Sequence, residues 1–272
     1  MLSPLSRNRA NVLGVGVDAV NMAAAVSVID AAVASGQKGY VCITGVHGVM
    51  EAQRDQTLRA ILNNSLVTTP DGMPTVWVGR WQRFRAMDRV YGPDLMLEVC
   101  ALSVAKGYTH YLYGGKPGTA EQLRSALERR FPGIRVVGTY CPPFRALDAG
   151  EERDLTKRVN VLKPDLFWVG LSTPKQERFM AEFIGKLDTT LMLGVGAAFD
   201  IHTGQLEDSP AWMKRAGLQW VHRLCQEPRR LWKRYLINNP EFVFRMGLQL
   251  FGLRSYTIPQ ARDGRGLTSR AA

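Results

Sequence analysis

The sequence lacks the features that mark exported and membrane-spanning proteins. Its 272 residues include only four cysteines and no C-x-x-C pair, so neither a disulfide framework nor a zinc site is indicated. No segment approaches the roughly 20 uninterrupted apolar residues that a membrane-spanning helix needs. The N-terminal residues reach Asp18 before they build the apolar core of a signal peptide. We therefore expect the protein to be made and kept in the cytoplasm.

Three common nucleotide-site motifs are also missing. There is no G-x-x-x-x-G-K-[ST] loop, which excludes a P-loop nucleotide hydrolase. The Gly14-Val15-Gly16 segment lacks the third glycine of a dinucleotide fingerprint, which counts against an oxidoreductase with a nucleotide cofactor. No D-x-D pair occurs, which counts against a metal-bridged nucleotide-sugar site. We expect no metal and no cofactor.

Positive charge is concentrated near the C-terminus. The formal net charge is +11, and residues 211–272 contain twelve Lys and Arg against three acidic residues. This asymmetry predicts an anionic partner for the C-terminal part, and nucleic acid, a phospholipid surface and a diphosphate group all fit. An apolar content of 46% and a charged content of 22% are typical of folded globular domains.

The pattern of apolar residues predicts an α/β fold with a mostly parallel, Rossmann-like sheet flanked by helices. Short β-branched or aromatic runs alternate with segments of helical period. We expect this catalytic domain in 1–204, a helical, basic and aromatic appendage in 205–258, and a disordered tail in 259–272. The predicted strands lie near 12–17, 40–44, 66–69, 109–113, 134–139, 165–171 and 190–195.

Helix starts are predicted at prolines. Helices are expected over 93–105, 117–130 and 174–187, each beginning at or next to a proline. In the last of these, Thr173 is the expected N-cap and Gln176 completes a capping box.

The C-terminal part predicts short helical pieces broken at Pro228 and Pro240. Its tryptophans and arginines fit a solvated basic face, a nucleic-acid patch, or an interfacial membrane segment that also binds a diphosphate. The apolar stretch 242–253 is too short to span a bilayer and favours a segment lying in an interface.

Five strand ends carry the residues most suited to bind a ligand. In an open parallel sheet, ligands bind outside the carboxyl ends of the strands. The segments that follow these strands are GVH (45–47), PDGMP (70–74), GGKPG (114–118), STPKQE (172–177) and GAAFD (196–200).

Each of these residues has a structural reading beside the functional one. Asp71 either caps its own Pro-Asp-Gly turn or acts as a general base. His47 is either a polar residue at a helix start or a catalyst. Asp200 fits a cap or turn equally well.

Two further strand ends suggest phosphate binding. The glycines of 114–118 either shape a strand-to-helix turn or let backbone N–H groups approach a phosphate. Lys175 in the first turn of a helix does not complement the helix dipole, which favours an anionic ligand nearby.

Taken together, the motifs resemble the WecG/TagA/CpsF glycosyltransferases. The resemblance runs from about residue 13 to residue 236, with the motifs in order and at the right spacing. The matching stretches are TPDGMP (69–74), YGPDLM (91–96), YLYGGKPG (111–118), LSTPKQERFM (171–180), LGVGAAFDIHTG (193–204) and SPAWMKRAGLQWVHRLCQEPRRLWKRYL (209–236).

This resemblance implies an inverting, metal-independent transfer of a sugar from a UDP-sugar to a polyprenyl-diphosphate-linked saccharide in cell-surface glycan or exopolysaccharide synthesis. The enzyme would be attached peripherally to the inner face of the cytoplasmic membrane, on its anionic surface. Self-association into a homo-oligomer is left open, and no nucleic-acid partner is expected. A nucleic-acid-binding protein and a nucleotide-cofactor oxidoreductase are the two rival functions.

The resemblance also assigns residues. Asp71 matches the family's general base, and Thr44 matches its active-site threonine. Gln176 matches a donor-site residue of the family. Together with residues taken from the strand ends it makes up the expected donor site, which consists of Gly114, Gly115, Lys175, Gln176, Gly196 and Asp200. The acceptor diphosphate is expected at Arg223, Arg230 and Lys233, where Lys233 replaces a usual arginine and loses its bidentate geometry.

One position departs from the family pattern. Many members read Thr-x-Asn-Pro where this chain reads Thr44-Gly45-Val46-His47. A polar contact to the donor is therefore absent, and His47 is the candidate to replace it. The donor sugar stays open among N-acetylmannosamine, its uronic acid and glucose.

Overall fold

Residues 7–259 are described by the structure, a computed structural model, and they contain eight strands and twelve α-helices. The strands are β1 (Arg9–Val12), β2 (Val15–Asp18), β3 (Gly39–Thr44), β4 (Val67–Pro70), β5 (Thr109–Gly114), β6 (Arg135–Tyr140), β7 (Leu166–Gly170) and β8 (Leu191–Gly194). The helices are α1 (Met22–Ala34), α2 (Val46–Arg54), α3 (Gln56–Asn64), α4 (Met73–Trp81), α5 (Gly92–Lys106), α6 (Thr119–Arg130), α7 (Ala149–Leu162), α8 (Lys175–Phe183), α9 (Ala198–His202), α10 (Ala211–Arg215), α11 (Gln219–Gln226) and α12 (Pro228–Leu250).

A six-stranded sheet with the order β4-β3-β8-β7-β5-β6 forms the centre, and every neighbouring pair in it is parallel. The predicted α/β class is therefore confirmed. The strands β3, β8, β7 and β5 are buried on both faces, as their continuous apolar runs require. One face packs Phe167 and Tyr111 against α8, and the other packs Trp168 and Leu112 against α5 and α6.

The predicted strand over 12–17 is wrong, because the chain turns back within it. β1 and β2 form an antiparallel hairpin outside the main sheet. Leu13 and Gly14 both have positive φ, at 54° and 81°, which is the geometry of a tight type I′ hairpin turn. Asn11 supports the turn, since its Oδ1 accepts the N–H of Gly14 at 2.8 Å.

The predicted start of α8 is also wrong. Thr173 does not cap the helix backbone, because its hydroxyl donates to the carboxylate of Glu177 at 2.9 Å. Gln176 makes no capping box and instead accepts the N–H of Gly196 at 3.0 Å. The helix ends four residues earlier than predicted, where Gly185 takes a φ of +87°. Similarly, α6 begins two residues after Pro117, with Gly118 as its N-cap.

The C-terminal part differs from prediction in one respect. Pro228 starts α12 as expected of a first-turn proline, but Pro240 lies inside the helix without breaking it. Pro240 is on the exposed side. The helix contacts α2 and buries Phe242 and Met246 in the same core as β1 and β3. Residues 260–272, nearly all of the predicted disordered tail, lie outside the described residues.

Asn11 of the hairpin joins two helix ends. Its backbone oxygen accepts Nε2 of Gln82, just after α4, at 2.8 Å and Nε2 of Gln249, in the last turn of α12, at 2.7 Å. The Oε1 atom of Gln249 also accepts the N–H of Leu13 at 2.9 Å. The C-terminal ends of α4 and α12 are therefore held together by the N-terminal hairpin.

Candidate active site

A cleft of about 1520 Å³ opens at the carboxyl ends of the central strands. The sheet side includes the ends of β3, β4, β5, β7 and β8, and α4 and α10 to α12 complete the wall. The cleft brings together most of the predicted site residues: His47, Asp71, Gly115, Lys175, Gln176, Gly196, Asp200, Arg223 and Arg230. Three predicted residues are not among those that line it: Thr44, Gly114 and Lys233.

Asp71 follows β4 and is held tightly by its backbone. Its N–H donates to the oxygen of Thr44 at 2.9 Å, which ties it to the end of β3. A Cβ on Gly45 would lie only 2.4 Å from the backbone oxygen of Asp71, so this approach needs a glycine. Gly72, with a φ of +96°, then turns the chain into α4. The carboxyl group is thus placed by two adjacent strand ends.

The surroundings of Asp71 make it a better base than an ordinary aspartate. Burial raises the pKa of Asp71 to about 6, although the guanidinium groups of Arg89 and Arg223 act in the opposite direction. The Asp94 carboxylate adds to the increase. A carboxylate with this pKa is mostly ionised at pH 7 and still takes up a proton readily.

Sequence reasoning did not find Arg89, which lies beside Asp71. Its Nη2 donates to Asp94 at 3.1 Å, and its guanidinium lies 4.8 Å from the ring centre of Tyr91. Lys214 from α10 contacts the same ring at 4.9 Å. In the sequence, the only sign of Arg89 is its position two residues before the YGPDLM stretch.

His47 is neutral and fixed in one tautomer. Burial and the nearby Arg234 charge lower the pKa of His47 to about 4. Its Nδ1 lies 3.2 Å from Nδ2 of Asn238, which can only donate, so the proton of the ring is on Nε2. Arg54 fixes the amide by donating to Oδ1 of Asn238 at 2.9 Å. The Nε2 atom is buried, and the backbone of Thr173 lies beside the ring and acts to raise its pKa.

Thr44 lies just below the surface of the cleft. Its side chain is buried, and its Oγ1 has no hydrogen-bond partner in the described part of the chain. Gly48 covers it so closely that a Cβ there would be 3.2 Å from Cγ2 of Thr44. Thr44 is thus buried next to Gly48 and does not line the cleft itself.

Gln176 connects two strand ends. Its Oε1 accepts the N–H of Gly196, and its Nε2 donates to Glu177 at 3.1 Å. Burial raises the pKa of Glu177, whose Oε1 receives hydrogen bonds from both Gln176 and Thr173. The amide of Gln176 is therefore held rigidly where it meets the cleft.

The glycine loop after β5 is shaped mainly by packing. A Cβ on Gly114 would lie 2.5 Å from the oxygen of Gly170, and the N–H of Gly115 already donates to that oxygen. The N–H of Gly115 is thus not free for a phosphate, but Lys116 beside it lines the cleft. Lys175, exposed at the start of α8, makes no salt bridge within residues 7–259.

Cations from the C-terminal helices face the sheet across the cleft. Arg223 and Arg230 both bond to Glu227, and burial raises the pKa of Asp200 despite these nearby arginines and Lys116. Lys233 is exposed and lies over the ring of Trp232, whereas the neighbouring Arg234 lines the cleft.

Residues 7–259 contain neither a metal-ligand cluster nor a membrane-spanning helix. No cluster of three or more His, Cys, Asp or Glu side chains is arranged to hold a metal ion. In the same range, every helix falls short of the length and apolar character needed to cross a bilayer.

Known proteins resemble this chain over most of its length. The glycosyl transferase WecG/TagA/CpsF family matches residues 10–256. An N-acetylglucosaminyldiphosphoundecaprenol N-acetyl-beta-D-mannosaminyltransferase of Bacillus subtilis (strain 168) is 29% identical over 186 residues, 68% of this chain and 70% of the relative. The protein of the same name from Bacillus spizizenii is 25% identical over 193 residues, 71% and 72% of the two chains.

Proposed function

Since the chain belongs to the WecG/TagA/CpsF glycosyltransferase family, we propose that it moves a hexose or N-acetylhexosamine-type sugar from a UDP-sugar to a saccharide on a polyprenyl diphosphate. The observation that carries the proposal is Asp71, with its pKa raised to about 6, in a cleft lined by arginines. Both named relatives act on a sugar linked through diphosphate to undecaprenol. The pathway is the assembly of an exopolysaccharide or another cell-surface glycan.

Asp71 is the general base. Its carboxylate takes the proton of the acceptor hydroxyl while that oxygen forms a bond to the anomeric carbon of the donor. The bond from this carbon to the UDP oxygen breaks on the opposite face, so the configuration inverts and UDP leaves with the bonding electron pair. A direct displacement needs only one general base. Asp71, which follows β4 and is tied by its N–H to the end of β3, supplies it.

The leaving diphosphate is stabilised by positive charge at two strand ends. Lys175 and Lys116 lie at the ends of β7 and β5, and Lys175 has no carboxylate partner in residues 7–259. Positive charge beside the leaving oxygen offsets the negative charge that develops on it. Gln176 and Gly196 hold this edge in place. His47, which lines the cleft, is the candidate for a further contact to the donor, and the proposed reaction uses no metal.

The acceptor diphosphate is bound by the arginines of the C-terminal helices. Arg223, Arg230 and Arg234 point into the cleft, and an arginine can bind a phosphate through two parallel hydrogen bonds. Glu227 currently neutralises part of this charge. We assign the third cation to Arg234 rather than to Lys233.

We further infer that the protein attaches to the anionic inner face of the membrane through the outer side of α12. Trp232, Leu236, Ile237 and Phe244 are 47 to 68% exposed there. Arg229 and Lys233 lie among them. Apolar side chains beside long cations are typical of helices that lie in a membrane interface.

The test is a transfer assay with purified protein, EDTA, a panel of UDP-sugars and a polyprenyl-diphosphate-linked saccharide. Mass spectrometry follows UDP release and the lipid-linked product. We expect product from one donor, and its loss in Asp71→Asn but not in the surface control Asp154→Asn. No transfer from any donor to several acceptors would overturn the proposal, and nucleic-acid binding by the basic helices would be measured next.

A further inference from the structure

The cleft-facing side of α12 changes its chemistry along the helix. The residues of α12 that line the cleft are Arg230, Arg234, Tyr235, Asn238, Asn239, Phe242, Val243, Met246, Gly247 and Leu250. The face is cationic near Arg230 and Arg234 and apolar from Phe242 onwards. Between Arg234 and Gly247 the helix rises about 20 Å. The cleft thus has a charged end and an apolar end.

Helix α4 forms the other wall of the apolar end. Trp77, Val78 and Trp81 line the cleft there. Trp77 is held against the loop before α11, since a Cβ on Gly217 would lie 2.8 Å from Cη2 of its ring. The C-terminal ends of α4 and α12 meet at the backbone oxygen of Asn11, which accepts hydrogen bonds from Gln82 and Gln249. We call this space, lined by α4 and by Phe242, Val243, Met246, Gly247 and Leu250 of α12, the apolar groove.

Gly247 leaves the groove open. No heavy atom lies within 4 Å of the position that a Cβ on Gly247 would occupy, although this residue lines the cleft. Glycine in the middle of a helix lowers stability relative to alanine. A larger side chain at this position would therefore extend into the open space of the cleft.

We propose that the apolar groove binds the first isoprene units of the acceptor's lipid chain. This inference rests on the proposed function, because it takes the arginines at the charged end to hold the diphosphate. The lipid chain is bonded to that diphosphate, so it must extend away from the arginines in one direction. The groove is continuous with them, is apolar along its length and begins where the charge ends. No other part of such an acceptor is both apolar and next to its phosphates.

The experiment compares acceptors that differ only in their lipid chain. The same saccharide diphosphate carries a methyl group, three isoprene units or a long polyprenyl chain, all in detergent micelles so that no bilayer contributes. The readout is kcat/KM for the three-isoprene acceptor divided by that for the methyl acceptor. Gly247→Leu fills the groove, Trp77→Ala removes part of its wall, and Ala101→Leu adds the same bulk to the exposed face of α5.

We expect the ratio to be well above one in the unmodified protein and in Ala101→Leu. It should fall by about tenfold or more in Gly247→Leu, because burial of several CH₂ groups is lost. Trp77→Ala should lower it as well, and this variant decides the outcome if Gly247→Leu does not fold. An unchanged ratio in the folded variants would place the lipid outside the groove.

A binding measurement separates this inference from the proposed reaction. Quenching of tryptophan fluorescence by the three-isoprene diphosphate without a sugar requires no transfer. Binding that Gly247→Leu weakens, without transfer from any donor, would overturn the reaction but support the groove. Transfer with equal preference for all chains in every variant would support the reaction and overturn the groove.

Discussion

Asp71 has to be ionised before it can take a proton from an acceptor hydroxyl. Since burial raises its pKa to about 6, kcat/KM should fall as the pH drops through about 6 and level off above it. Arg89 lowers this pKa, so in Arg89→Gln the fall in kcat/KM should occur at a higher pH, by about one unit. Rate profiles from pH 5 to 8 measure both. The surface variant Arg124→Gln is the control, and a fall in kcat/KM that Arg89→Gln leaves at the same pH would contradict the assignment.

The carboxylate of Asp71 should also lower the free energy of unfolding. The pKa of Asp71 is about 6 in the folded protein and 3.8 in its ordinary state, so folding disfavours the ionised form. The penalty is absent below pH 3.8, grows between pH 3.8 and 6, and is complete above pH 6. Asp71→Asn should therefore raise the free energy of unfolding at pH 7 by about 1–3 kcal/mol, and by little at pH 4. Urea titrations at the two pH values test this, and a gain that is equal at both would argue against burial as the cause.

The sequence allowed some of these residues to be predicted, but not others. Asp71 and Gln176 lie in motifs whose position after a strand brings them to the cleft. The choice between Lys233 and Arg234 depends on the helical phase of α12, which only its packing determines. Asn238 has no local signal, because its partners are about 190 residues away in the chain.

Helices α2 and α12 are joined by a small polar network. Arg54 donates to Asn238, Asn238 donates to His47, and Arg54 also pairs with Glu241. Asn238 is buried, so Asn238→Ala should cost about 1–3 kcal/mol of stability through unsatisfied groups. A double-mutant cycle with Arg54→Ala should give a coupling energy of about 0.5 kcal/mol or more.

Denaturant unfolding of the two single variants and the double variant measures this coupling. Additive losses would mean that Arg54 does not orient the amide of Asn238. Val161→Ala, at an exposed position of α7, serves as the control pair with Asn238→Ala and should show no coupling.

The sequence predicts helices and strands well where apolar residues recur with a regular period. It predicts them poorly where the conformation of one or two residues determines a turn or a helix end. The six parallel strands follow from continuous apolar runs. The hairpin was missed because Leu13, not only Gly14, adopts a positive φ, which leucine rarely does. Pro240 does not end α12, because the helix is held by buried residues before and after it in the sequence, namely Asn238, Phe242 and Met246.

Attachment of the whole molecule to a membrane should depend on the outer side of α12. The double variant Leu236→Asp and Phe244→Asp removes two exposed apolar side chains and adds two negative charges. Co-sedimentation with vesicles of anionic phospholipid should fall by about tenfold, because each change opposes insertion. Val161→Asp, which is equally exposed but lies on α7, should bind as the unmodified protein does. Equal binding by all forms would exclude α12 as the attachment site.

The hydrogen bonds of Asn11 also bear on the order in which the protein acquires its shape during synthesis. Gln249 is 238 residues further along the chain, so the hairpin is made early and must wait for its partner. Contacts between such distant residues form late and slowly. All eight strands precede α12 in the chain, so the part of the wall that α12 supplies is synthesised last among the described elements. A nascent chain that has emerged only as far as α11 therefore carries Asp71 and Arg223 but lacks Arg230, Arg234 and the apolar groove, which are the parts proposed to bind the acceptor.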